Sequence, residues 1–249
     1  MNFFSLFKRN LIYKFKNKIS IDTDNFDGKN LDELFNFYGS DKANTFSLKN
    51  EKGHGFSKFY IHHFESLKNK KLNILEIGSY AGASAAAFAK YLPNSNIFCF
   101  DINISNFKYS SKKIQVFGLN VREKKKVGKI LEKIFKKNNF KKFDIVIDDG
   151  SHNLSDILYS LDLFFKFVKS NGIYIIEDYK YPNYYEYNKD TNEILIDELL
   201  TKISSKQFFN SELIDSENQK YIIENVKDIF TYKGNLSYSD ICFIKKNDL

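Results

Sequence analysis

Five short apolar runs, Leu72 to Ile77, Asn96 to Phe100, Lys113 to Phe117, Phe143 to Ile147 and Ile173 to Ile176, alternate with stretches of helical spacing. This alternation constrains the fold more than any other feature. Runs that are apolar at almost every position suit strands covered on both faces, the habit of parallel sheets with helical crossovers. A small-residue helix is predicted from about Gly82 to Leu92. A lysine-rich helix follows from Arg122 to Lys137, with Val127, Ile130, Leu131 and Ile134 on one face. Ile157, Leu161, Phe164, Phe165 and Val168 mark the inner stripe of a third helix, which Asn171-Gly172 is expected to stop. Asp228 to Tyr232 and Asp240 to Lys245 read as strands separated by only Lys233 to Ser239, too few residues for a parallel crossover. They are expected to pair antiparallel at the sheet edge. The fold class is therefore α/β, a doubly wound, mostly parallel sheet with one antiparallel edge strand.

Ahead of the sheet, Leu31 to Tyr38 reads as a short helix closed by a left-handed Gly39. The loop Ser40 to Gly55 follows, then apolar residues at helical spacing from Phe56 to Leu67. The first twenty residues carry Lys8, Arg9, Lys14, Lys16 and Lys18 and no acid, interleaved with Phe3, Phe4, Leu6, Phe7, Leu11, Ile12, Tyr13 and Phe15. Such a segment is either a basic amphipathic arm for a membrane surface or partner, or a terminal helix docked on its own protein, the plainer reading. The expected organisation is a basic arm over 1–28, with a polar joint at 21–30, a helical, substrate-facing segment over 29–70 and a cofactor-binding domain over 71–249. No apolar run approaches the ~20 residues of a membrane span, and charges interrupt every candidate leader. Cys99 and Cys242 lie inside apolar runs and read as free core thiols, which fits a cytoplasmic location. The net charge of +7 suits an anionic small-molecule substrate, and no nucleic-acid partner is expected.

Four acid-bearing strand ends carry the chemistry. Leu75-Glu76-Ile77-Gly78-Ser79-Tyr80-Ala81-Gly82 leaves a strand and enters a helix, where glycines let a ligand approach the backbone. The next strand ends in Asp101, close to the ~20-residue offset at which an acid meets ribose hydroxyls. A nucleoside-containing ligand is expected, with Asp101 on its ribose. Tyr80 stands where a dinucleotide fingerprint needs its second glycine, which argues against a pyrophosphate. The string Glu76 to Gly82 instead resembles motif I of S-adenosylmethionine (SAM)-dependent methyltransferases. Later, Asp148-Asp149-Gly150-Ser151-His152 ends one strand and Glu177-Asp178 ends the next. Four carboxylates crowded at neighbouring strand ends repel unless a cation neutralises them, and oxygen donors suit Mg²⁺, Mn²⁺ or Ca²⁺.

The D-D-G-S-H and E-D pair resembles the metal-dependent O-methyltransferases that tailor macrolide sugars, and the related cephalosporin and capsular-sugar enzymes. The segment Tyr38-Gly39-Ser40-Asp41-Lys42, with His54-Gly55-Phe56 and Phe59-Tyr60, is similar to the stretch preceding the core in that group. The resemblance implies a seven-stranded class I methyltransferase, with Asp149, Glu177 and Asp178 as metal ligands and His152 as general base beside Asp149. It implies that Glu76, Gly78, Ser79, Tyr80, Asp101 and Asn120, with Ser40 and Lys42, hold SAM, and that Asp148 faces its methionine part. The sequence departs from the group at Gly118 to Val121, where an acidic, glutamine-bearing loop is usual. His54, Tyr60 and Tyr181 are candidate acceptor contacts. The expected cofactors are SAM and Mg²⁺ or Mn²⁺. The expected acceptor is a sugar hydroxyl on a nucleotide-activated sugar, such as a heptose, for capsule or surface polysaccharide, and a homo-oligomer is expected. The competing readings are an NAD-linked sugar epimerase or dehydrogenase, for which Tyr185 and Lys189 are the available pair, and a SAM-fold protein without catalysis.

Overall fold

The computed structural model describes residues 3–24, 26 and 30–248, so positions 25 and 27–29 of the joint lie outside the described residues. Seven strands form the main sheet: β1 (Asn73–Ile77), β2 (Asn96–Asp101), β3 (Ile114–Gly118), β4 (Phe143–Asp148), β5 (Val168–Glu177), β6 (Val226–Lys233) and β7 (Asp240–Lys246). Their order is β3-β2-β1-β4-β5-β7-β6. Strand β7 runs antiparallel to both β5 and β6, so the reversed strand lies one in from the edge and β6 takes the edge. The helices are α1 (Phe3–Phe15), α2 (Leu31–Tyr38), α3 (Ser57–Phe64), α4 (Ala83–Tyr91), α5 (Lys124–Asn138), α6 (Leu154–Phe164), α7 (Tyr181–Tyr184), α8 (Ile196–Ser204) and α9 (Ser216–Asn225). The chain divides into two compact units, residues 1–132 with 234–236, and residues 133–233 with 237–249.

In the first unit, β1, β2 and β3 pair in parallel register, Leu75 opposite Phe98 and Phe98 opposite Gln115. Helix α4 is rich in alanine because its backbone packs tightly: Ala85, Ala86, Ala87 and Ala89 are all buried. Phe88 supplies the bulk those alanines lack. Its ring meets Phe35 of α2 at 5.3 Å, Tyr60 of α3 at 5.1 Å and Phe64 at 6.0 Å between centroids. The first two are edge-to-face, a geometry that adds to the burial itself. Replacing Phe88 with Ala is expected to cost about 3–5 kcal/mol in denaturant unfolding. A loss below about 1 kcal/mol would show that the cluster collapses around the missing ring.

Helix α2 is closed as its residues dictate. Asn30 accepts the Glu33 N–H at 3.1 Å, and Glu33 accepts the Asn30 amide in return. At the other end Gly39 adopts φ +79°, while Gly39 and Ser40 donate to Asn36 and Phe35 carbonyls. That is the glycine-terminated ending expected of Tyr38-Gly39.

In the second unit, β4 and β5 run parallel with Ile147 opposite Ile175 and Asp148 opposite Ile176. The expected helix through Val168 is corrected here. Helix α6 ends at Phe164, a 3-10 turn covers Phe165–Phe167, and Val168 already opens β5 opposite Phe143. Asn171, at φ +59°, and Gly172 then shift the register within the strand rather than stopping a helix. A Cβ at Gly172 would lie 2.8 Å from the Asp144 carbonyl, so glycine is what permits the close approach. Cys99 and Cys242 are free and buried, and burial pushes the Cys242 thiol up to about 12.

Candidate active site

The first unit carries the turn after β1. Glu76 is buried and accepts the Ser84 hydroxyl at 2.5 Å, which ties the strand to the first turn of α4. Gly78 sits at φ +84° and donates to the Phe100 carbonyl at 2.8 Å, a conformation natural to glycine. Ser79 is buried and its hydroxyl donates to the Glu76 carbonyl at 3.3 Å. Gly82, at φ +77°, lies so close to the Phe107 ring that a Cβ would stand 2.4 Å from it. Tyr80 bridges the two glycines with φ +41° and its side chain in solvent.

The carboxylate of Asp101 is locked by this turn. Its Oδ2 accepts the Tyr80 N–H at 2.8 Å and its Oδ1 accepts the Asn103 N–H at 2.6 Å. Charge-assisted bonds to backbone fix its direction. Each oxygen keeps a second lone pair, enough to accept the two hydroxyls of a ribose. The Asn120 side chain instead accepts the Arg122 N–H at 3.0 Å, just ahead of α5.

Ser40 and Lys42 are buried in the loop that leads to α3. The Ser40 hydroxyl accepts the Lys42 N–H at 3.4 Å, and the Lys42 carbonyl accepts the Phe56 N–H at 2.9 Å. His54 is half-buried. Its N–H donates to the Asp41 carbonyl, its carbonyl accepts the Asn235 N–H at 2.7 Å, and its ring lies 5.1 Å from Phe56. Tyr60 is corrected. At 0% exposure, amid Phe35, Phe64 and Phe88, it packs the core and offers no face to an acceptor.

The second unit gathers the acids. Parallel pairing of β4 with β5 brings Asp148-Asp149 and Glu177-Asp178 to neighbouring strand ends. Asp148, Glu177 and Asp178 are buried. Burial pushes the Asp148 carboxyl up to about 7, and the charges of Asp149 and Asp156 add to that, while the Ser160 hydroxyl and the Gly150 N–H pull against it. His152 Nε2 stands 3.8 Å from Asp149 Oδ1. Both His152 (φ +57°) and Asp178 (φ +50°) take left-handed backbone, a local cost of roughly 1–3 kcal/mol that surrounding structure must hold in place. The surroundings are visible: Tyr181 donates its N–H to the Asp178 carbonyl at 2.9 Å, and Asn188 donates to Asn153 at 2.9 Å.

The His152 ring lies 4.8 Å from Tyr181, which in turn meets Tyr185 at 5.3 Å and Tyr238 at 5.7 Å. Tyr238 carries no sequence signal for this site, since it stands far along the chain in the segment between β6 and β7. Among the described residues, no three His, Cys, Asp or Glu side chains converge closely enough to hold a metal ion. The donor chemistry fits a hard divalent cation, since Asp149, Glu177 and Asp178 offer only oxygens.

Comparison with known proteins places these elements. The family model described as "Methyltransferase domain" matches residues 68–242. Mycinamicin VI 2''-O-methyltransferase of Micromonospora griseorubida is 30% identical over 135 residues, covering 50% of this chain and 31% of that protein. Demethylmacrocin O-methyltransferase of Streptomyces fradiae is 28% identical over 132 residues, with 50% and 32% covered. The chain thus spans about a third of the length of the curated relatives it matches. The MycE methyltransferase of mycinamycin biosynthesis, solved with Mg, SAH and mycinamycin VI, superposes with a TM-score of 0.64 at 22% identity, over 88% of this chain and 54% of that one. That likeness establishes the fold as the class I methyltransferase sheet. The matched span holds β1 through β6, the Gly78–Gly82 turn and all four strand-end acids, and the chain belongs to the methyltransferase domain family.

Proposed function

We propose that this chain transfers a methyl group from SAM to a hydroxyl oxygen of a sugar-bearing acceptor, with a divalent metal at the carboxylates. The observation that carries the proposal is the placement of Asp148-Asp149 and Glu177-Asp178 at the ends of adjacent parallel strands, with His152 beside Asp149. The names of the relatives, all O-methyltransferases, support the same chemistry. SAM supplies an electrophilic methyl on a sulfonium, and a metal held by Asp149, Glu177 and Asp178 supplies Lewis acidity that makes an alcohol easier to deprotonate.

The chain's residues do the rest. Asp101 accepts the ribose hydroxyls, and Glu76, Gly78, Ser79 and Tyr80 shape the turn around the cofactor, with Ser40, Lys42 and Asn120 in supporting loops. Asp148 is the residue proposed to face the methionine part. His152 takes the acceptor proton on its ring nitrogen, and Tyr181, backed by Tyr185 and Tyr238, offers a face to the sugar. The acceptor we favour is a nucleotide-activated sugar, a heptose among the candidates, destined for capsule or surface polysaccharide. The segment 29–70 with His54 is the proposed substrate-facing element, and a homo-oligomer is the proposed assembly.

The test is release of S-adenosylhomocysteine from SAM across a panel of nucleotide sugars with Mg²⁺ present. Asp101→Ala is expected to weaken SAM binding by roughly 1.5–3 kcal/mol, since charge-assisted hydrogen bonds are lost. An unchanged dissociation constant would remove Asp101 from the cofactor site.

A further inference from the structure

Helix α1 is docked by one face only. Leu6 is buried, the Tyr13 ring meets Phe107 edge-on at 6.3 Å, Lys16 donates to the Ser105 carbonyl, and Asn10 occupies the space where a Cβ on Gly118 would fall. The opposite face is apolar and in solvent: Phe4 is 76% exposed, Phe7 59%, Leu11 45% and Phe15 80%. At 3.6 residues per turn these four side chains fall within an arc of roughly 80°. Lys14 borders that arc on one side and Lys8 on the other, both exposed. A contiguous apolar stripe of this kind is uncommon on a protein that meets only water.

We infer that this outer face of α1 docks on an anionic lipid surface, with Phe7, Leu11 and Phe15 entering the headgroup boundary and Lys8 and Lys14 meeting the phosphates. An apolar stripe edged by lysines is the pattern of helices that lie in a membrane interface. The charge argues against a second copy as the occupant. Residues 1–20 hold five cations and no acid, so two such helices face to face bring like charge together, whereas anionic headgroups neutralise it. The helix lies on the bilayer rather than crossing it. Thirteen residues reach about 20 Å, short of the ~30 Å hydrocarbon core, and among the described residues no helix is long and apolar enough to span.

The experiment is flotation of the full chain with vesicles of phosphatidylcholine mixed with phosphatidylglycerol, against vesicles of phosphatidylcholine alone. The chain is expected to float with the anionic vesicles at low salt and to be released by high salt. The triple change Phe7→Ser, Leu11→Ser, Phe15→Ser is expected to lower the bound fraction at least about ten-fold, and Lys8→Glu with Lys14→Glu to do the same with the stripe intact. Thermal unfolding of each variant checks that the docked face of α1 is unharmed. Wild-type chain that stays unbound, or triple variant that floats as well as wild type, overturns the inference. So does a triple variant whose only effect is a smaller mass by light scattering, which would make this face a contact between copies.

Discussion

Replacing His152 with Ala is expected to cut kcat by roughly 10²–10⁴ while SAM and metal still bind. The expectation rests on where the ring is held. His152 Nε2 is 3.8 Å from an Asp149 oxygen and its ring packs at 4.8 Å on Tyr181, so the imidazole borders the proposed metal and acceptor positions without supplying a ligand. Its backbone at φ +57° allows a clean control, because His152→Gly favours that conformation while also deleting the ring. Equal losses in the Ala and Gly variants assign the effect to the imidazole. A near-normal kcat in either variant would pass the base role to another group, with His54 the next candidate.

The second large effect concerns Glu177. EDTA is expected to abolish turnover and Mg²⁺ or Mn²⁺ to restore it, with SAM affinity much less affected. Glu177→Ala is expected to lose metal affinity and activity together, by several kcal/mol in the barrier, or about 10³-fold in rate. Glu177 is buried at the end of β5, so Glu177→Gln, which keeps the volume, separates loss of charge from loss of packing. Full activity in thoroughly metal-stripped protein would leave the strand-end acids with a structural role alone.

Much of this could be read before any coordinates. The strands announce themselves because double-sided burial favours apolar residues at most positions, as in Leu72 to Ile77 and Phe143 to Ile147. The ending of α2 follows from Gly39, and the β6–β7 pair from a connection too short to cross over. The run from Phe164 to Val168 was not legible, since four apolar residues around Lys166 suit a buried helix end and a buried strand start alike. The two-residue pairings of Ile19–Ser20 with Tyr109–Ser110 and of Thr45–Phe46 with Glu51–Lys52 leave no periodic trace. The placement of the acids was legible because strand ends of parallel neighbours share one edge. Tyr60 misled because aromatic residues serve cores and ligands equally, and only its packing against Phe88 decides. Tyr238 joins Tyr181 through tertiary structure that local sequence does not encode.

The central claim is that the Gly78–Gly82 turn takes SAM while the strand-end acids take a metal. Calorimetric titration with SAM, with and without Mg²⁺, tests it most directly. The account predicts saturable SAM binding at one site per chain under both conditions, weakened in Asp101→Ala, and a separate Mg²⁺ isotherm that disappears in Glu177→Ala. No heat with SAM, or a SAM isotherm indifferent to Asp101 together with an Mg²⁺ isotherm indifferent to Glu177, would contradict it.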